Sequence, residues 1–234
     1  MRLADFEAMS FDCYGTLIDW EAGLSVVLVP WAREHGLDLT EEQLLTEYST
    51  VEATVEAQRP TDLYPDVLAR SMRLLGGKLG AGVTGEEAAR LAGSVPDWPA
   101  FPDSRDALLA LGRRFKLIIL SNVDRTSFAG SNTRLGVTFT SILTAQDIGS
   151  YKPSQRNFDA LTAEAARLGI GPGKLVHVAQ SLYHDHVPAR RLGLSTAWIN
   201  RRHDRTGSGA TPPAEVTPDF EAPDMATFSA AATR

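Results

Sequence analysis

The chain has 234 residues, 43% hydrophobic and 22% charged, with 23 Lys and Arg against 29 Asp and Glu and a formal net charge of -6. That mix excludes bulk disorder and allows one sizeable core, or a core with a smaller inserted domain. Basic residues are scattered apart from Arg201, Arg202 and Arg205, which argues against a nucleic-acid partner; no stretch reaches membrane-span length. The single cysteine, Cys13, excludes an intramolecular disulfide and fits a cytoplasmic location, and the N-terminus does not read as a signal peptide.

In chain order, Ala8 to Cys13 predicts a short buried strand ending at Asp12, followed by turn chemistry at Gly15 and Thr16. Four helices follow: Trp20 to His35, interrupted or bent at Pro30; Glu41 to Gln58, capped by Thr40; Tyr64 to Leu79; and Thr84 to Ala92, where Thr84 and Glu87 have capping-box spacing. Trp31, Leu44, Leu45 and Leu74 read as the core of this helical block. The proline-rich run 96–102 reads as a linker, and Asp103 as the cap of a helix reaching about Arg114. Phe115 to Leu120 is a continuous apolar run, as a strand buried on both faces requires. Helix and strand signals then alternate. Helices are predicted near Arg125 to Leu135, Ser154 to Leu168 and Asp185 to Leu192. Strands are predicted near Phe139 to Thr144, Leu175 to Ala179 and Thr196 to Ile199. The stretch from Arg201 to Pro218 reads as a surface loop before a short final element. The pattern predicts an α/β fold, a doubly wound parallel sheet with an inserted helical cap: residues 1–16 and 97–234 form the core and 17–96 the cap.

Open parallel sheets place their sites beyond the carboxyl ends of the strands. Those ends carry Asp12; Ser121 and Asn122; Lys152, after the third strand; and Asp185. Each alone has an ordinary explanation as a turn or helix cap. Four in this order, each at a strand end, point to one site.

The segments DCYGT, LSN and YKP with the late Asp185 resemble the four motifs of the haloacid dehalogenase superfamily, over residues 6 to about 200. FDCYGTLIDW and WINRR further resemble the 2-haloacid dehalogenases. The resemblance implies a Rossmann-like core and a covalent mechanism. Asp12 is the nucleophile that forms an ester, and Lys152 holds it ionised. Thr16 donates to it, and Ser121 and Asn122 donate to the substrate or the nucleophile. Asp185 orients Lys152 or activates the hydrolytic water. Tyr14, Ser121, Asn122, Ser181, His184 and Trp20 are the expected substrate contacts, with Trp20 reading equally as a buried aromatic at the hinge. Superfamily phosphatases carry a second Asp where this chain has Tyr14. A phenol, titrating near ~10, is a poor acid for an alkoxide, whereas a halide leaves without a proton. With only Asp185 in the fourth motif, no metal and no cofactor is expected.

The implied reaction is hydrolysis of short 2-haloalkanoic acids to 2-hydroxy acids on a small-molecule substrate, in a monomer or homodimer. Epoxide opening, phosphatase activity and a non-catalytic binding role are the alternatives. The branch has a Tyr where this chain has Phe158, and its usual Ser and Asn before the late Asp are replaced around Gln180, Ser181, Tyr183 and His184. His184 and His186 read preferentially as surface residues at a helix start, with one of them facing the pocket as the alternative. Cys13 reads as a small buried hydrophobe. Arg33, Arg59, Arg70 and Arg73 read as solvated helix faces rather than as the cap arginine that the family uses for halide or carboxylate.

Overall fold

The computed structural model describes residues 1–171, 173–207 and 209–234. Strands β1 (Ala8–Phe11), β2 (Lys116–Ser121), β3 (Ser141–Thr144), β4 (Leu175–Ala179), β5 (Ser195–Ile199) and β6 (Phe220–Ala222) form one sheet in the order β3-β2-β1-β4-β5-β6. Every neighbouring pair is parallel. All residues of β1 and β4 are buried, which is why these strands read as continuous apolar runs rather than alternating ones. The chain winds outward from β1 to β3 and then returns to β4 beside β1. The strand order therefore reverses between β1 and β4, and a crevice opens there at the carboxyl ends.

Between β1 and β2 lie α1 (Trp20–Glu34), α2 (Glu41–Gln58), α3 (Tyr64–Leu79) and α4 (Gly85–Ala92), with α3 packed on both α2 and α4. The Asp19 side chain caps α1, and Thr40 with Gln43 and Thr84 with Glu87 form complete capping boxes. The predicted break at Pro30 is absent, and α1 continues to Glu34. Pro30 lacks the N–H that the Val26 carbonyl would accept, but Val26 is exposed, so water can serve that carbonyl. Leu74 is also not core. It is exposed, because the inward positions of α3 are Val67, Leu68, Ser71, Met72 and Leu75. Gly23 lets Trp98 lie directly on α1: a Cβ there would run into the indole ring.

The remaining helices flank the sheet: α5 (Ser104–Leu111), α6 (Arg125–Leu135), α7 (Ala145–Ile148), α8 (Gln155–Arg167), α9 (Val187–Arg191) and α10 (Met225–Ala232). Asp103 makes no side-chain cap on α5. It accepts instead from the Met225 and Ala226 backbone N–H groups at 2.8 and 3.1 Å, at the start of α10, and pairs with Arg201 at 2.9 Å. The expected surface loop after β5 is only partly exposed. Arg202, Ala210 and Thr211 are buried, with Arg202 held by Glu21 of α1 at 2.7 Å and Glu42 of α2 at 2.6 Å. A basic, glycine-containing run looks solvated in sequence; its acidic partners lie some 160 or more positions away and draw it inward. Among the described residues, no helix is long and apolar enough to cross a membrane.

Candidate active site

Asp12 immediately follows β1 and is buried. The turn behind it needs Gly15: its φ is +89°, and a Cβ there would press on Trp20 at 3.1 Å and Gln180 at 3.2 Å. This turn carries Thr16 back beneath the carboxylate, where its hydroxyl donates to Asp12 Oδ2 at 2.7 Å and accepts from the Gln180 backbone N–H at 2.9 Å. Lys152, delivered by the loop after α7, is almost wholly buried. Its Nζ donates to Asp12 Oδ1 at 2.8 Å, the Leu120 carbonyl at 3.0 Å and Asp185 Oδ1 at 2.7 Å. All three ammonium donors are thereby engaged.

Asn122 anchors the lysine loop. It accepts from the Lys152 backbone N–H at 2.6 Å and donates to the Lys152 carbonyl at 3.0 Å. Its amide is thus turned to Lys152, not to Asp12, and it also reaches Glu56. Ser121, the last residue of β2, is buried with a hydroxyl that has no partner among the described residues, and it does not line the cavity around Asp12. Behind Asp185 stands His177 of β4, whose Nε2 lies 2.8 Å from Asp185 Oδ1 and whose Nδ1 lies 2.8 Å from the Ser10 hydroxyl. A buried chain therefore runs from Ser10 through His177, Asp185 and Lys152 to Asp12.

The charges follow from this network. Burial works against the Lys152 charge, but Asp12 and Asp185 outweigh it and hold the ammonium above its ordinary range. Burial likewise opposes the Asp185 charge, yet Lys152 and His177 hold that carboxyl well below the usual carboxylate range. Asp12 is pushed upward by burial and by Asp185, with Lys152 and Thr16 pulling against the shift.

Tyr14, Trp20, Asn122, Ser181 and His184 line the cavity with Asp12, Lys152 and Asp185. Tyr14 stacks on Tyr64 and meets Trp98 edge-on, its hydroxyl 2.9 Å from Ser131, and burial pushes the phenol well above its usual value. The reading of His184 and His186 as surface residues is overturned: both sit in a π-helical turn, Leu182–His186, packed between β4 and α9. His186 is fully buried against the Ala179 carbonyl. His184 lines the cavity, and burial lowers it to about 4, so its ring is neutral. Cys13 is a buried free thiol. Arg33, Arg59, Arg70 and Arg73 are exposed and none reaches the cavity.

Five residues escaped the sequence reading, Tyr64 of the cavity lining among them. His177 is hidden in an apolar strand. Glu52 and Glu56, four apart on α2, are buried and line the cavity, as does Thr211. The available signal for the acids was the run Tyr48, Glu52, Glu56 at helical spacing along the same stripe as Leu45, Val51 and Val55. Among the described residues, no three His, Cys, Asp or Glu side chains converge as metal ligands.

No protein-family model matches the chain, and no curated protein does. Solved structures do. One L-2-haloacid dehalogenase superposes with a TM-score of 0.79 at 19% identity, covering 98% of this chain and 100% of its own. A second gives 0.72 at 25% identity, over 96% and 97%. The L-2-haloacid dehalogenase from Xanthobacter autotrophicus with chloropropionic acid covalently bound gives 0.75 at 18%, over 96% and 97%. The chain has the hydrolase fold of the haloacid dehalogenase superfamily. Within that superfamily it resembles the L-2-haloacid dehalogenases, along its whole length.

Proposed function

We propose that this protein is a hydrolase that displaces halide from a small haloalkyl compound through an ester on Asp12, with the helices of residues 17–96 serving as the cap over the site. Short 2-haloalkanoic acids are the first substrates to test. The observation that carries the reading is the grip on Asp12: one oxygen bonded to a fully engaged ammonium, the other to Thr16. Such a carboxylate is buried, oriented and held beside an ammonium group, as a nucleophile toward carbon must be.

An Asp12 oxygen bonds to carbon as the carbon–halogen bond breaks and its electron pair leaves on the halide. Water then adds to the Asp12 ester carbonyl, its proton passing to Asp185 Oδ2, which is buried without a protein partner and belongs to a residue lining the cavity. Collapse expels the alkoxide, which takes a proton. The net products are alcohol, halide and one proton. Tyr14 supports this leaving group over an alkoxide or phosphate ester: the raised phenol offers no acid at neutral pH, and halide needs none.

The test is halide release from a haloalkyl panel, including 2-chloropropionate, with EDTA present and absent, beside an epoxide and a phosphate ester. Halide release in EDTA is the expected result. Asp12→Asn should lower it by about a thousandfold or more, and mass spectrometry of the quenched enzyme should place the alkyl group on the peptide containing Asp12. Phosphate ester cleavage without halide release would overturn the reading.

A further inference from the structure

We infer that the α2 wall of the cavity selects a substrate bearing a cationic, ammonium-type group, held by Glu56 with Glu52 beside it, and disfavours a free carboxylate there. This deepens the proposed function, although its binding arm does not depend on the chemistry at Asp12.

Both glutamates are more than nine-tenths buried and line the cavity, and among the described residues no guanidinium or ammonium is hydrogen-bonded to either. Glu52 Oε1 accepts from the Tyr48 and Tyr64 hydroxyls at 3.1 and 2.9 Å. Among the described residues Glu56 has only the Asn122 amide, at the long distances of 3.2 and 3.3 Å. Lys152 is the sole Lys or Arg lining the cavity among the described residues, and its donors are already committed to Asp12, Leu120 and Asp185. His184, neutral, points Nε2 to within 4.0 Å of Glu56 and has no hydrogen-bond partner on that nitrogen.

A carboxylate entering here would meet Asp12 and Asp185 and would further disfavour the ionised forms of Glu52 and Glu56, with no uncommitted Lys or Arg lining the cavity among the described residues. Charges of like sign at contact distances in a buried site repel strongly. A cation reverses each of those signs. The site is also open to one on independent grounds. Asp185, about 99% buried, leaves Oδ2 in the cavity wall without a partner among the described residues, and the aromatic side chains of Tyr14, Trp20 and Tyr64 line the same cavity. Burial raises Glu52 to about 7 and Glu56 well above its usual value, the condition of carboxyls lacking a counter-charge.

The experiment measures binding of propylammonium and of propionate to the intact protein by calorimetry, and halide release from 3-chloropropylammonium, 2-chloropropionamide and 2-chloropropionate. Propylammonium should bind at least about tenfold more tightly than propionate. Glu56→Gln, which keeps the shape and removes the charge, should erase that preference. Equal or tighter propionate binding to the wild type overturns the inference without any variant, as does failure of both ligands to bind. A preference unchanged in Glu56→Gln overturns it too, because Glu56 would then act as a neutral donor. Ammonium preference with no halide released from any compound leaves this inference standing and removes the dehalogenation. Greater kcat/KM on 2-chloropropionate than on the ammonium compound does the reverse.

Discussion

Lys152 lies between Asp12 and Asp185, and the roles of all three depend on how well Asp185 is held. His177 is the side chain that holds it from behind, fixed in turn by Ser10. It touches neither Asp12 nor the cavity, so it acts by positioning. His177→Phe keeps an aromatic ring in a space already shared with Phe158. It should lower kcat about ten- to a hundredfold by removing one buried hydrogen bond to a charged group, with KM little changed. A second readout separates this from mere packing. His177 helps hold Asp185 below its usual range, so its loss raises that carboxyl, and the acidic limb of the kcat–pH profile should move to higher pH. An unmoved limb would leave His177 a structural residue only.

At the scale of elements, α2 is the unusual one. Its buried face interleaves Leu44, Leu45, Val51 and Val55 with Glu52 and Glu56, so a helix that stabilises the block also brings two acids to the cavity around Asp12. Burial raises the folded carboxyl of Glu52 from 4.5 to about 7, the Tyr48 and Tyr64 hydroxyls opposing. The folded state therefore binds this proton more tightly than the unfolded chain does. The stability it contributes is complete below pH 4.5 and is lost as pH rises to about 7. Glu52→Gln should match the wild type in acid and exceed it by up to about 3 kcal/mol above that window. Urea denaturation at several pH values measures the difference, and a constant offset across pH would refute the assignment.

Over the whole molecule, the segment after β5 ties the core to the helical block. Arg202 bridges Glu21 of α1 and Glu42 of α2, while the Ala210 N–H reaches Glu21 at 2.8 Å. Arg201 fastens the same segment to the Thr16 carbonyl and Asp103, close behind the turn that follows Asp12. Arg202 is largely buried, but Glu42 is nearly half exposed, so the bridge is screened on one side. Arg202→Met should cost about 1–3 kcal/mol, chiefly by leaving the half-buried Glu21 without its counter-ion. Thermal unfolding would show the loss, and an unchanged Tm would mean that the bridge holds nothing.

Local rules made much of this protein legible from its residues alone. Period and length in the apolar pattern separated strands from helices. The Thr40 and Thr84 caps marked helix starts, and parallel strands buried on both faces made runs such as Phe115 to Leu120 recognisable. The strand-end placement of Asp12, Lys152 and Asp185 was also readable, since a doubly wound sheet gathers those ends along one edge. Which side chains meet them was decided by packing across long separations. Asn122 turned to the lysine backbone, Asp103 left its own helix to cap α10, and His184 lost its solvent. Glu52 and Glu56 became the wall of the cavity only when α2 settled over the sheet. Sequence spacing encodes the face a residue occupies on its own element; the charge that confronts it comes from another part of the chain, and only the folded molecule sets that distance.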